Sequence, residues 1–173
     1  AAEEAAAGMA EAAERYLRLK TAARLLQWSM ERFRQTRQGP ILARASEIFQ
    51  ALTLGSFSRL LVDADSHDSP RLVSIRTDGN KPVEVPGLSE GTRDQLYLAL
   101  RLAALDQQAS QGGRMPLIAD DLFINFDDRR TEAGLQVLGD VSRRMQVILL
   151  THHDHLVPLA RQVLGDGLNV IEL

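Results

Sequence analysis

Two adjacent carboxylates at the end of an apolar run are the feature of this chain best suited to chemistry. Met115-Pro116-Leu117-Ile118-Ala119-Asp120-Asp121 reads as a short buried strand that ends in the two acids. In a parallel sheet the C-terminal edge is where α/β proteins bind ligands. Successive strand residues point to opposite faces, so Asp120 and Asp121 can take different tasks. One can hold magnesium, usually through water, because that ion keeps part of its hydration shell. The other can orient or deprotonate an attacking water. A helix cap or a solvated strand end would present the same two residues, so the pair needs company.

Two further features supply it. Leu88-Ser89-Glu90-Gly91-Thr92-Arg93-Asp94-Gln95 stands directly before a helical stretch. Ser89 suits an N-cap, and Gly91 lets backbone amides approach an anion closely. Free N–H groups at a helix N-terminus make a natural phosphate site, although Ser-x-Gly before a helix is by itself only a cap. The third feature is Val147-Ile148-Leu149-Leu150-Thr151-His152, an apolar strand with a polar tip whose histidine can hydrogen-bond a γ-phosphate. A lone histidine at such a place is more commonly structural or exposed.

The elements that must position these residues follow from periodicity. Thr92 to Gln108 is helical, with Leu96, Leu100 and Ala103 on one face. Met115 to Ala119 and Gln146 to Leu150 are strands, Asp128 to Arg144 and His155 to Leu164 are helices, and Leu168 to Leu173 is a last strand. Alternating helices and apolar strands predict a largely parallel α/β sheet. Upstream, Phe57 to Asp63, Arg71 to Thr77 and Val83 to Val85 predict a small antiparallel unit, with a polar turn at 64–70 and a tight turn at Asp78-Gly79.

Residues 1–38 differ from the rest. Ala5, Met9, Ala12, Tyr16, Leu19, Ala23, Leu26, Met30 and Phe33 alternate in steps of four and three, the a/d pattern of a left-handed coiled coil. An amphipathic helix packed on its own domain is the plainer reading. Gly39-Pro40 is expected to end this helix and start another carrying Ile41, Ala45, Ile48 and Leu52 on one face. The expected division is an arm helix over residues 1–38 and a lobe over residues 40–173.

Composition sets the outer bounds. The 173 residues are 45% hydrophobic and 25% charged, with a formal net charge of -3, which fits a soluble domain and singles out no partner. Cysteine is absent, which excludes a disulfide framework and cysteine-based zinc sites. No run of about 18 apolar residues suggests a membrane span, and the Ala/Glu-rich start lacks signal-peptide character, so a cytoplasmic location is expected.

Taken in order, the three features resemble those of ABC-type ATPases: a signature LSxG, a Walker B strand and a switch histidine. Within that superfamily the chain resembles the SMC-like repair ATPases of the SbcC/RecN kind, and specifically the YhaN family, through LSEGTRDQLYLALRLA and PLIADDLFINFDDRR. The resemblance covers roughly residues 45–173, and the N-terminal helix resembles the returning arm of such a protein's coiled coil. It implies an α/β fold, the C-terminal lobe of a P-loop NTPase head of ABC type, with a mostly parallel sheet, flanking helices and the small antiparallel unit. It also implies roles for single residues. Ser89, Glu90, Gly91 and Thr92 would form the signature that meets ATP held by the opposite protomer. Asp120 would be the magnesium-side acid, acting through water, and Asp121 the catalytic carboxylate, one methylene shorter than the glutamate of many relatives. Asn125 and Asp127 would fall in the D-loop that touches the partner head, and His152 would be the switch histidine.

Nothing in the chain matches G-x-x-x-x-G-K-[ST]. In proteins of this kind the P-loop lies in an N-terminal lobe, so the chain is expected to be a fragment or excised lobe that needs that lobe for ATP and magnesium and does not hydrolyse ATP alone. Implied partners are the P-loop lobe, a second head in a head-to-head homodimer, DNA and a nuclease subunit. Two other classes of function compete. A non-catalytic dimerisation or coiled-coil scaffold fits the missing P-loop and the aspartate at 121. A metal-dependent phosphatase using Asp120 and Asp121 lacks a nucleophile and the usual spacing of its acids.

Three weaker signals are set aside. Asp63, Asp65 and Asp68 around His67 lack the glycine and terminal glutamate of a calcium loop. His152, His153, Asp154 and His155 are too crowded to surround one zinc ion without help from elsewhere. Arg15, Arg18, Lys20, Arg24, Arg32, Arg34 and Arg37 give the first helix a basic bias that suits DNA phosphates, a solvated face or an acidic partner strand equally well.

Overall fold

A computed structural model describes residues 2–63, 71–113 and 115–172. The polar turn at 64–70, with Asp65, His67 and Asp68, lies outside the described residues. Contacts divide the chain into two units, residues 1–40 and 41–173.

The first unit is helical. It forms the greater part of α1 (Ala2–Leu52). Met9, Tyr16, Leu19, Leu26, Met30 and Phe33 of the a/d series are all exposed, as are Leu17, Leu25 and Trp28 off that series. The side chains of Ala5 and Ala12 lie outside the described residues. Arg18 pairs with Glu14, and the cations of Lys20 and Arg32 stand over the rings of Tyr16 and Trp28.

The helix break expected at Gly39-Pro40 does not occur, and Pro40 sits inside α1. Proline in a helix interior costs about 3 kcal/mol through the lost N–H hydrogen bond and a clash with the preceding turn. Gly39 and Pro40 are both exposed, so water can take up the hydrogen bond that proline removes.

In the second unit, Ala45, Ile48, Phe49 and Leu52 bury the last turns of α1. The helix ends at Leu54 and Gly55, both at positive φ (52° and 77°). There follow β1 (Phe57–Asp63), β2 (Arg71–Arg76) and β3 (Pro82–Glu84), an antiparallel sheet in that order. Gly79 and Asn80, at φ 69° and 50°, make the β2–β3 turn expected from Asp78-Gly79. Phe57 and Leu60 turn inward from β1, and Val73 and Ile75 are buried on β2.

The chain then enters α2 (Glu90–Ser110), β4 (Leu117–Asp120), α3 (Asp128–Ser142), β5 (Val147–Leu150) and α4 (Leu156–Leu164). Strands β4 and β5 are parallel, in register from Leu117 opposite Val147 to Asp120 opposite Leu150. Parallel neighbours need a crossover, and α3 provides it. Leu96, Ala99, Leu102 and Ala103 of α2 and Leu135 and Leu138 of α3 join the α1 residues in one core. The last strand expected over Leu168–Leu173 is absent among the described residues: the segment after α4 pairs with neither sheet, and strand propensity alone does not make a strand without a partner. No helix among the described residues is long and apolar enough to cross a membrane.

One buried ion cluster ties these layers. Asp106 of α2, only 4% exposed, receives Arg44 Nε at 2.9 Å and Arg144 Nη1 at 2.6 Å. Glu47 and Asp106 together push the Arg44 pKa up, against the opposing effect of burial.

Candidate functional site

The carboxylates stand where the strand pattern puts them. Asp120 ends β4 on the same side as Ile118, and both are exposed while Ala119 between them is buried. Asp121 follows at φ 45°, a left-handed conformation uncommon outside glycine but one that aspartate and asparagine adopt more readily than other residues. Its amide still donates to Leu150 O at 3.0 Å, which fixes the acid against the tip of β5.

That tip carries the histidine. His152 Nδ1 donates to Asp121 Oδ2 at 2.8 Å, joining two of the residues singled out in the sequence. The other carboxylate oxygen, Asp121 Oδ1, is buried and has no hydrogen-bond partner among the described residues. Next to His152, the half-buried His153 stacks its ring at 4.1 Å and likewise leaves its Nε2 buried and without a partner.

Past Asp121 the chain turns tightly, with Ile124 N bonded to Asp121 O and Phe126 N to Phe123 O. Phe123 is buried against Gly134 of α3, where an added Cβ would lie 2.3 Å from the ring. The turn presents Asn125, whose Nδ2 donates to Asp94 Oδ2 of α2 at 2.9 Å. Asp127 caps α3, its Oδ1 accepting from Arg130 N at 2.9 Å, so this residue has a structural duty.

Ser89 is the N-cap of α2, accepting from Thr92 N at 3.4 Å and sharing a 2.8 Å hydrogen bond with the Thr92 hydroxyl. Thr92 is buried and holds the serine, while Glu90 is exposed. Gly91 lies close to the acidic turn, since a Cβ there would come 3.4 Å from Asn125 O.

A groove of about 300 Å³ runs between α2 and this turn, lined among others by Asp94, Tyr97, Arg101, Asp120, Asp121 and Asn125. The structure thus brings Asp120, Asp121 and Asn125 to one groove and links His152 to Asp121. Ser89, Glu90, Gly91 and Thr92 do not line it. Sequence reasoning missed Asp94, Tyr97 and Arg101, although their spacing of three and four puts them on one face of the predicted helix.

The chain is similar to proteins already known. It is 29% identical over 148 residues, 84% of its length, to an uncharacterized protein, YhaN, of Bacillus subtilis (strain 168). The chain spans 15% of that relative's length. No family model matches. Among solved structures, one concerned with ATP-driven dimerization and DNA-stimulated activation of SMC ATPases matches with a TM-score of 0.59 and 21% identity, over 75% of this chain and 77% of that one. An Smc head bound to the C-terminal winged-helix domain of ScpA matches with a TM-score of 0.55 and 21% identity, over 70% of this chain and 37% of that one. The SMC head domain of Thermotoga maritima matches with a TM-score of 0.53 and 16% identity, over 80% and 45%.

Proposed function

We propose that this chain, which has the fold of SMC ATPase heads and is similar to YhaN, is the C-terminal half of an ATP-hydrolysing head. The observation that carries the reading is the union of Asp121 and His152 at 2.8 Å beside Asp120, at the C-terminal edge of a parallel strand pair. Two motifs thirty-one residues apart in sequence meet where α/β proteins do their chemistry.

In this reading Asp120, a solvent-open hard oxygen donor, fits magnesium through water. The ion supplies neutralisation of charge on the β- and γ-phosphate oxygens. Asp121 orients the attacking water and takes its proton, and His152 holds that carboxylate in place. Asn125, steadied by Asp94, and Asp127 contact the opposing head. Ser89, Glu90, Gly91 and Thr92 present the start of α2 to the ATP bound by that head, in a head-to-head homodimer.

The P-loop belongs to an N-terminal lobe of the same protein in this proposal. Ile118, Ile148 and Leu150 support it, because they are exposed on a two-stranded parallel sheet, and parallel sheets are ordinarily covered on both faces. Residues 1–38 form the returning arm of a coiled coil, and residues 40–173 the lobe. The assembled machine acts on DNA ends or in DNA repair, with a nuclease subunit, in the cytoplasm.

The test is ATP hydrolysis by this chain alone, by this chain mixed with its P-loop lobe, and by the mixture carrying Asp120→Asn. Magnesium-dependent turnover only in the unsubstituted mixture is expected. Turnover unchanged by Asp120→Asn would overturn the assignment, and ATP binding without any turnover would move the protein to the scaffold class.

A further inference from the structure

The histidine run at residues 152–155 has a partner that its own sequence does not supply. Asp121, thirty-one residues before His152 in sequence but adjacent in space, offers a carboxylate to His152 and His153, and one ligand atom from each of the three lies within 4.8 Å of the other two. Two of the available atoms, Asp121 Oδ1 and His153 Nε2, are buried and unpartnered among the described residues. Buried polar atoms are rarely left without a partner, and a bound ion or water is what ordinarily satisfies them.

We propose that Asp121, His152 and His153 form a site for a divalent transition metal, of which zinc is the best fit. Two imidazoles and one carboxylate are a borderline donor set, preferred by zinc and its neighbours over magnesium or calcium. Three protein ligands leave a fourth position open to water. Tetrahedral zinc holds its ligand atoms roughly 3.3 Å apart, so the three side chains close inward by modest rotations. His155, whose ring lies 5.6 Å from that of His153, stands outside the set.

The site goes beyond the ATPase reading and does not need it, since the ligands are all in this chain. If that reading holds, the ion claims the carboxylate proposed to orient water, so zinc inhibits turnover by occupying Asp121.

The experiment is zinc titration of the tag-free chain by calorimetry, with cobalt as a spectroscopic probe of coordination. One zinc ion per chain is expected, with a compact tetrahedral or five-coordinate cobalt spectrum. Asp121→Asn and His153→Ala should each weaken binding at least about tenfold, as loss of a direct ligand exceeds typical outer-shell effects. Asp154→Asn should leave it unchanged. Far-UV circular dichroism identifies variants that fail to fold, for which His153→Gln is the substitute. Absence of stoichiometric binding overturns the proposal, because Oδ1 and Nε2 then close on each other or on water. Binding lost in His155→Ala but kept in Asp121→Asn overturns it as well, assigning the ion to the histidine run alone. Magnesium-dependent ATPase of the assembled head is a separate measurement, so either idea can fail without the other.

Discussion

Two glycines of α3 should respond to alanine with opposite signs. A glycine-to-alanine change in a helix interior gains about 1 kcal/mol of intrinsic propensity where there is room for the methyl. At Gly134 there is none. A Cβ there would lie 2.3, 2.9 and 3.2 Å from three ring atoms of Phe123, which is 4% exposed. The ring has to retreat by roughly 1 Å to regain ordinary contact. It is planar, buried and set edge-on to Phe126 at 5.5 Å, so it cannot swing aside on a flexible end. Overpacking of this kind costs about 1–3 kcal/mol. The net expectation for Gly134→Ala is a loss of up to about 2 kcal/mol. At Gly139 the nearest atom is a single methyl of Leu164, 2.7 Å from the added Cβ, and a small χ2 rotation clears it. Gly139→Ala should therefore be neutral or stabilising by up to about 1 kcal/mol. Urea unfolding followed by circular dichroism measures both. A double-mutant cycle with Phe123→Leu, which removes the offending ring edge, should return a coupling of about 1 kcal/mol or more. Gly134→Ala at or above the parent stability, or a cycle that is additive, would refute the packing argument.

Three more outcomes follow from the same geometry. Asp106→Asn should cost about 1–3 kcal/mol in urea unfolding, since it strips a buried carboxylate from Arg44 and Arg144, whose own exposure lets water relieve part of the loss. Ser89→Asp should keep the cap of α2 and the parent stability, because aspartate caps as well as serine. In the completed head it should abolish ATP turnover, as its charge would face a phosphate; turnover within a factor of two of the parent would place the serine in a capping role only. Ser89→Ala should cost only about 0.5–1 kcal/mol, the low end of cap losses, because the Thr92 N to Ser89 Oγ hydrogen bond is long at 3.4 Å.

The strand pattern made β4 and β5 legible, and with them the position of Asp120 and Asp121, because apolar runs of four to six residues between polar loops have few other solutions. The N-cap at Ser89 was legible for the same local reason. Pairings across the sequence were not. Nothing in the order of residues says that Asn125 meets Asp94, or that Arg44 and Arg144 converge on Asp106, since such contacts depend on how helices cross. The expected break at Gly39-Pro40 failed because a local stop signal was weighed without the flanking helix formers that carry α1 through it. The strand expected near Leu168 failed for a different reason: β-propensity is realised only through pairing, and this segment pairs with neither sheet among the described residues. The crowded histidines showed no shared site on sequence spacing alone, because Asp121, which lies beside His152 and His153 in space, comes from the end of β4.

Helix α2 is the element through which these parts can affect one another. Its first residue follows the Ser89 cap, and Asp94 one turn later holds Asn125 of the acidic turn. Gln95, fully buried, donates its Nε2 to Leu52 O at 3.0 Å, satisfying a carbonyl at the end of α1. Asp106, three turns further on, binds Arg44 from α1 and Arg144 from beyond α3. Lateral packing alone would let the helices slide, but a buried carboxylate with two guanidinium partners and a buried amide on a carbonyl fix α2 along its axis as well as across it. A displacement of the last turns of α1 therefore has two directed grips on α2, at Gln95 and Asp106. It reaches the Ser89 cap at one end and, through Asp94, the turn that carries Asn125. The residues proposed to meet nucleotide and the end of α1 are thus attached to the same rigid body.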